Sequence, residues 1–129
     1  MIHADLFPDN ALFHDGEISG VIDFYFACSD SFAYDLAITH VAWAFSPDGS
    51  VHHAERSAAL LAGYQSVRPL SEAEHAAFPL LCRGAALRFL LTRCYDWLNT
   101  PAGALVNRKD PLAFRHRLDF YIAAAHRLL

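Results

Sequence analysis

Ile2 to Phe24 reads I-H-A-D-L-F-P-D-N-A-L-F-H-D-G-E-I-S-G-V-I-D-F, and the rest of the chain is understood from it. His3, Asp5 and Asn10 give the spacing H-x-D-x-x-x-x-N, and Ile22-Asp23-Phe24 closes the stretch. Between them, Asp15-Gly16 is a strong two-residue hairpin signal, with Ala11-Leu12-Phe13 before it and Ile18-Ser19-Gly20-Val21-Ile22 after it. A hairpin brings its ends together, so Asp23 is expected to return close to Asn10.

An Asp and an Asn along one loop, with a second Asp delivered beside them, suit one chemistry. Phosphoryl transfer asks the protein for an oriented hydroxyl, metal ions held against phosphates, and compensation of developing charge. The ordinary reading is that Asp5, Asp9 and Asp15 are turn and capping residues and that His3 is a packed histidine, since such residues are common in loops. The joint pattern of loop, hairpin and I-D-F has a mechanism behind it.

His3 to Asn10 and Ile22 to Phe24, with Tyr34-Asp35-Leu36-Ala37 downstream, resemble the aminoglycoside phosphotransferase and choline kinase superfamily, whose fold is protein-kinase-like. The wording H-A-D-L-F-P-D-N, G-V-I-D-F-Y-F-A-C, Y-D-L-A-I and R-F-L-L-T-R-C-Y-D-W-L-N-T-P is most similar to its bacterial homoserine kinase branch, over residues His3 to about Leu118. The resemblance implies ATP as co-substrate, Mg2+, and transfer of the γ-phosphate to the hydroxyl of L-homoserine in threonine synthesis. It implies Asp5 as the base that orients the hydroxyl, His3 as a brace, Asn10 and Asp23 as metal ligands, and Asp35 as structural support of the catalytic loop. Another acceptor of the superfamily (an aminoglycoside, choline or a sugar) and a non-catalytic remnant acting as an interaction module are the alternatives.

Such kinases carry an N-terminal lobe with a Gly-rich loop and a strand lysine. Here the loop begins at residue 3, the only lysine is Lys109, and no G-x-G-x-x-G occurs. The expectation is therefore an α+β, mainly α chain of one domain, residues 1–129. It would be the C-terminal lobe of the kinase-like fold with the N-lobe missing, and one β-hairpin would carry the metal-site Asp. Alone it is expected to be inactive or weakly active.

Composition agrees. A chain of 129 residues is long enough for its own core, and 54% hydrophobic is high for that length, consistent with an apolar face that a missing lobe or a second copy covers. The formal charge of -4 argues against a nucleic-acid footprint. Nine arginines to one lysine suit bidentate contacts to carboxylate or phosphate, and equally a genome rich in Arg codons. Cys28, Cys82 and Cys94 are odd in number with no C-x-x-C, so neither a disulfide framework nor a zinc knuckle is indicated, and a reducing cytoplasm fits. Neither a signal-peptide pattern nor ~18 uninterrupted apolar residues occurs, so no membrane role is expected.

Beyond the hairpin, Tyr25 to Asp30 reads as a loop packed under the site, and Phe32 to Phe45, apolar on all sides, as a central buried helix capped by Asp30 or Ser31. Asp35 in its first turn also suits the helix dipole. Ser46-Pro47-Asp48-Gly49-Ser50 is a break. A helix follows from about His52 to Gln65, with Leu61 and Tyr64 on its apolar stripe and His52-His53 as exposed histidines in place of a metal pair.

Ser71 and Glu74 have capping-box spacing, and Pro79 predicts a kink or restart. Leu80, Gly84, Leu87, Leu91, Cys94 and Leu98 then run 4-3-4-3-4, which reads as a long buried seam. On its other faces Arg88, Arg93 and Asp96 are candidate substrate contacts: an Arg can grip the carboxylate of homoserine and an Asp its ammonium, against the ordinary reading of a solvated Arg-Asp face. Asp110-Pro111 opens a last helix, with Leu118, Tyr121, Ile122, Ala125 and Leu129 toward the core.

Overall fold

The computed structural model describes residues 1–106 and 108–124. The hairpin forms as the turn chemistry requires: β1 (Ala11–His14) and β2 (Glu17–Val21) pair antiparallel, with Ala11 opposite Val21 and His14 opposite Glu17. Asp15 (φ 50°) and Gly16 (φ 82°) are both left-handed, as a turn that matches the twist of a hairpin demands. A bulge lies between Leu12 and Phe13. Short 3-10 turns, Pro8–Asn10 and Phe24–Phe26, flank the hairpin.

Four helices follow: α1 (Phe32–Trp43), α2 (Ala54–Val67), α3 (Glu72–Asn99) and α4 (Leu112–Ala123). The chain is thus mainly helical with one two-stranded antiparallel sheet. Apolar on all sides, α1 is the centre: Ala33 and every residue from Leu36 to Ala42 are buried, and α3 packs along it. α3 packs against α4 in turn. The capping box at the start of α3 is complete, the Glu74 amide donating to Ser71 Oγ (3.3 Å) and the Ser71 amide to the Glu74 carboxylate (2.9 Å). Arg68 joins this corner through Glu74 at 2.6 Å.

The core holds Ile2, Ile38, Val41, Phe45, Leu61, Phe78, Cys82, Phe89, Phe114 and Tyr121. Buried within it, His40 Nδ1 lies 2.7 Å from Tyr121 Oη and Nε2 lies 2.6 Å from Ser57 Oγ, so one polar chain ties α1, α2 and α4 together. Burial is the main cause, and neighbouring His52 the second, that lowers the His40 pKa to about 4. Pro79 lies inside α3, which runs as one helix from Glu72 to Asn99 although the proline removes one amide donor and crowds the carbonyl a turn before it.

Several expectations from sequence are corrected. The 4-3-4-3-4 seam of α3 faces outward: Leu80 is 66%, Leu87 44%, Leu91 60% and Leu98 82% exposed, while Phe78, Cys82, Ala85, Ala86 and Phe89 are the buried residues. In the loop expected to pack under the site, Tyr25 is 85% and Phe26 46% exposed. His52 is half-buried, stacked on Phe120 with ring centroids 4.3 Å apart, because it precedes α2 in a bridge to Phe45 and so reaches the core. Ile122 points to solvent, and Ala113, Phe114, Arg117 and Tyr121 form the inner face of α4. Ala125 and Leu129 lie outside the described residues. Among the described residues no helix is long and apolar enough to cross a membrane.

Candidate active site

The loop from His3 to Asn10 is held from three directions. The Asp35 carboxylate, in the first turn of α1, accepts from the His3 amide (3.1 Å) and the Ala4 amide (2.8 Å). From α3, Arg88 Nη1 donates to the Ala4 carbonyl at 2.9 Å, with its guanidinium over the rings of Phe89 and Phe26. His3 links the loop to the hairpin's far end. Its Nδ1 accepts from the Asp5 amide (3.2 Å), so its Nε2 carries the hydrogen and donates to the Ile22 carbonyl (2.9 Å). The ring packs against Phe24 at 4.7 Å.

These bonds hold an unusual backbone. Ala4 has φ 61°, the left-handed region that L-residues enter at a cost of about 1–2 kcal/mol, and Asp23 has the same φ. One strained residue directly precedes Asp5 and the other is itself a proposed site residue. Such outliers concentrate where side chains must be aimed.

Asp5, Asn10 and Asp23 line one cavity of ≈ 250 Å³, together with Phe7, Asp9, Phe89, Arg93 and Lys109. The hairpin does the gathering: the Ile22 amide donates to the Asn10 carbonyl at 3.0 Å, which sets Asp23 beside the loop. Asn10 Nδ2 donates to the Asp5 carbonyl (2.8 Å), which orients the amide so that its oxygen is left as an acceptor. Burial raises the Asp5 carboxyl above the usual carboxylate range; Arg88 opposes the rise and Asp23 adds to it. At the mouth Lys109 Nζ sits 3.2 Å from Asp9, and this contact lowers the Asp9 carboxyl.

The candidate substrate contacts separate. Arg93 lines the cavity with Asp5, while its Nη1 donates to the Asp110 carbonyl at 3.2 Å. Arg88 is committed to the loop itself. Asp96 is exposed beside the α3–α4 loop and does not line this cavity. Sequence reading missed Arg88's hold on Ala4, Lys109 at the mouth, and the left-handed Ala4. Only the alternation of polar and apolar residues along α3 could have hinted at the first.

Among the described residues no three His, Cys, Asp or Glu side chains converge as a metal cluster. Mg2+ needs no such cluster, because it keeps several waters and takes the rest of its oxygens from one or two carboxylates and substrate phosphates. The Asn10 amide oxygen and the Asp23 carboxylate are donors of that kind.

A loop carboxylate, an amide and a second carboxylate set by a hairpin thus share one cavity, an arrangement of the kind that phosphoryl transfer uses. The profile of the phosphotransferase enzyme family matches residues 1–70, and the chain belongs to that family. Among individual proteins it is similar to the homoserine kinase of Gluconobacter oxydans, 62% identical over 125 residues, which are 97% of this chain and 39% of that protein. The homoserine kinases of Gluconacetobacter diazotrophicus (63% over 123 residues, 95% of this chain and 38% of that protein) and Methylobacterium radiotolerans (62% over 121, 94% and 37%) are as similar. The chain thus spans under two-fifths of the length of these relatives.

Proposed function

We propose that the chain is the C-terminal lobe of an ATP-dependent homoserine kinase, inactive or weakly active alone. The observation that carries this reading is the convergence of Asp5, Asn10 and Asp23 on one cavity, in a chain about 62% identical to three homoserine kinases. Asp5 orients the acceptor hydroxyl and takes its proton on the carboxylate, and a carboxyl raised by burial is nearer the pKa at which a base works well at neutral pH. Asn10 and Asp23 would hold Mg2+, which when bound would neutralise phosphate charge. His3 fixes the loop to the hairpin, and Asp35 and Arg88 hold Ala4 so that Asp5 is presented at one angle. Arg93, the one of the three expected substrate contacts that lines the cavity, contacts the acceptor.

A second reading is favoured by the exposed apolar surface of α3 and of Phe24–Phe26, which suits a covering lobe or a second copy of the chain. The test is phosphate transfer from ATP to L-homoserine, with and without Mg2+, by this chain and by a version extended upstream in its gene. Transfer by the longer version, lost by at least a hundredfold in Asp5→Asn, is the expected result. Turnover of Asp5→Asn within about tenfold of the parent removes Asp5 from the role of base.

A further inference from the structure

A larger cavity of ≈ 740 Å³ adjoins the one with Asp5, sharing Phe7, Asp9, Arg93 and Lys109 with it and continuing to Trp43 and Arg117. Its acids are already engaged. Asp9 is paired with Lys109 at 3.2 Å, Asp48 accepts from the hydroxyls of Ser46 (2.6 Å) and Ser50 (2.8 Å), and Asp110 accepts from the Leu112 amide (2.8 Å). Three of its four cations, Arg56, Arg93 and Arg117, are not, and the last two are drawn out of water. Neither Arg93 nor Arg117 has a carboxylate within 4.0 Å among the described residues.

Their positions make that unusual. Both guanidiniums lie against the same Phe114 ring, at 4.4 and 4.5 Å from its centroid. Arg117 is 4% exposed, and its Nη2 donates to the carbonyls of Ser46 (3.1 Å) and Pro47 (3.4 Å), while Nε and Nη1 find no partner. Burial first, and Arg93 second, bring its pKa down to about 10. Two like charges drawn out of water side by side are costly unless something opposite sits near them. The π-face of Phe114 offsets part of that cost, and an anion held in the open cavity beside them would offset more.

We propose that this cavity is the carboxylate half of the acceptor site, Arg93 donating to the carboxylate and Arg117 supplying a second positive charge behind it. The assignment rests on the kinase reading only in placing the acceptor hydroxyl at Asp5. The ligand class is a small hydroxylated carboxylic acid, for which L-homoserine, the acceptor of the kinase reading, is the probe. At ≈ 740 Å³ the cavity has room for more than one, so charge rather than shape does the selecting, and a polycationic acceptor is disfavoured.

The test is a titration of the 15N-labelled chain, following the Arg93 and Arg117 Nε–H and Trp43 indole signals. The probes are L-homoserine, its carboxamide L-homoserinamide, and inorganic phosphate. Homoserine is expected to move these signals, the carboxamide to bind at least tenfold more weakly, and Arg93→Met to erase the difference. Equal binding of homoserine and its carboxamide overturns the proposal, as does movement confined to other signals. Response to phosphate alone also overturns it, in favour of a phosphate-binding cavity. Carboxylate-dependent binding without transfer in the longer version leaves this site standing and refutes the kinase reading instead.

Discussion

Replacing Asp35 tests whether the loop is held as described. Its carboxylate is the acceptor for two backbone amides, His3 and Ala4, in a pair of residues that are themselves buried. Asp35→Ala leaves both donors without a partner, at about 1–3 kcal/mol each, and the segment can recover part of that only by letting Ala4 leave its left-handed conformation. The net loss is then about 2–5 kcal/mol, against a total stability of about 5–15 kcal/mol for a domain of this kind. Asp35→Asn keeps one acceptor oxygen and turns the other position into a donor facing a donor, so its cost falls at about 1–3 kcal/mol. With a urea dependence of roughly 2 kcal/mol per molar, Asp35→Ala lowers the unfolding midpoint by about 1–2.5 M, read by far-UV circular dichroism. Amide hydrogen exchange at His3 and Ala4 rises in both variants before that of α1 does. A midpoint for Asp35→Ala within about 0.3 M of the parent, or a larger loss for Asn than for Ala, refutes the account.

Other outcomes follow from the same structure. His40 has a folded pKa of about 4 against an ordinary 6.5, so its contribution is complete above pH 6.5 and is lost as pH falls through 4; melting between pH 7 and pH 4 should reveal a loss of about 3 kcal/mol that His40→Gln lacks. Gly49→Ala places a Cβ 2.0 Å from the Ala113 carbonyl oxygen at φ +74°, so the turn must leave α4 and thermal melting falls by several degrees, on the order of 2 kcal/mol or more; an unchanged melting temperature removes that close approach. Leu87→Glu with Leu91→Glu should change stability by less than about 1 kcal/mol while reducing self-association in sedimentation velocity, because both side chains are exposed; a large loss of stability places them in a core after all.

The hairpin, the capping box and the central helix were legible because each rests on local chemistry: Asp15-Gly16 can enter the left-handed region together, Ser71 and Glu74 satisfy each other's amides, and α1 has no polar face. The gathering of Asp5, Asn10 and Asp23 was legible for the same reason, since a hairpin's ends must meet. What was not legible depends on which far part of the chain arrives. Arg88 and Ala4 are 84 positions apart, Lys109 and Asp9 are 100 apart, and His40 and Tyr121 are 81 apart. Nothing in the local pattern distinguishes an arginine that clamps a carbonyl from one that waits for a substrate. Arg117 was overlooked because an arginine on an amphipathic helix ordinarily marks the wet face, whereas here it is buried by the turn whose carbonyls it holds.

The reversal of α3 has a more general cause. Phe78, Cys82, Ala85 and Phe89 repeat at 4-3-4, as do Leu80, Gly84, Leu87 and Leu91, and the second stripe is the first displaced by two residues, about 200° around the helix. Periodicity therefore identifies a helix with two apolar faces and cannot say which one meets the core. Side-chain bulk misleads, because the leucines look like the stronger seam. The close approach of α1, itself rich in small buried residues such as Ala33, Ala37 and Ala42, selects the stripe with Cys82, Ala85 and Ala86, which lets the helix backbones come together. The leucines are left to solvent, and Gly84 among them has open space where a Cβ would stand. A helix apolar on opposite faces suits burial on both. The exposed face of α3 is therefore a surface on which the association of this chain by itself should depart from that of proteins more than twice its length.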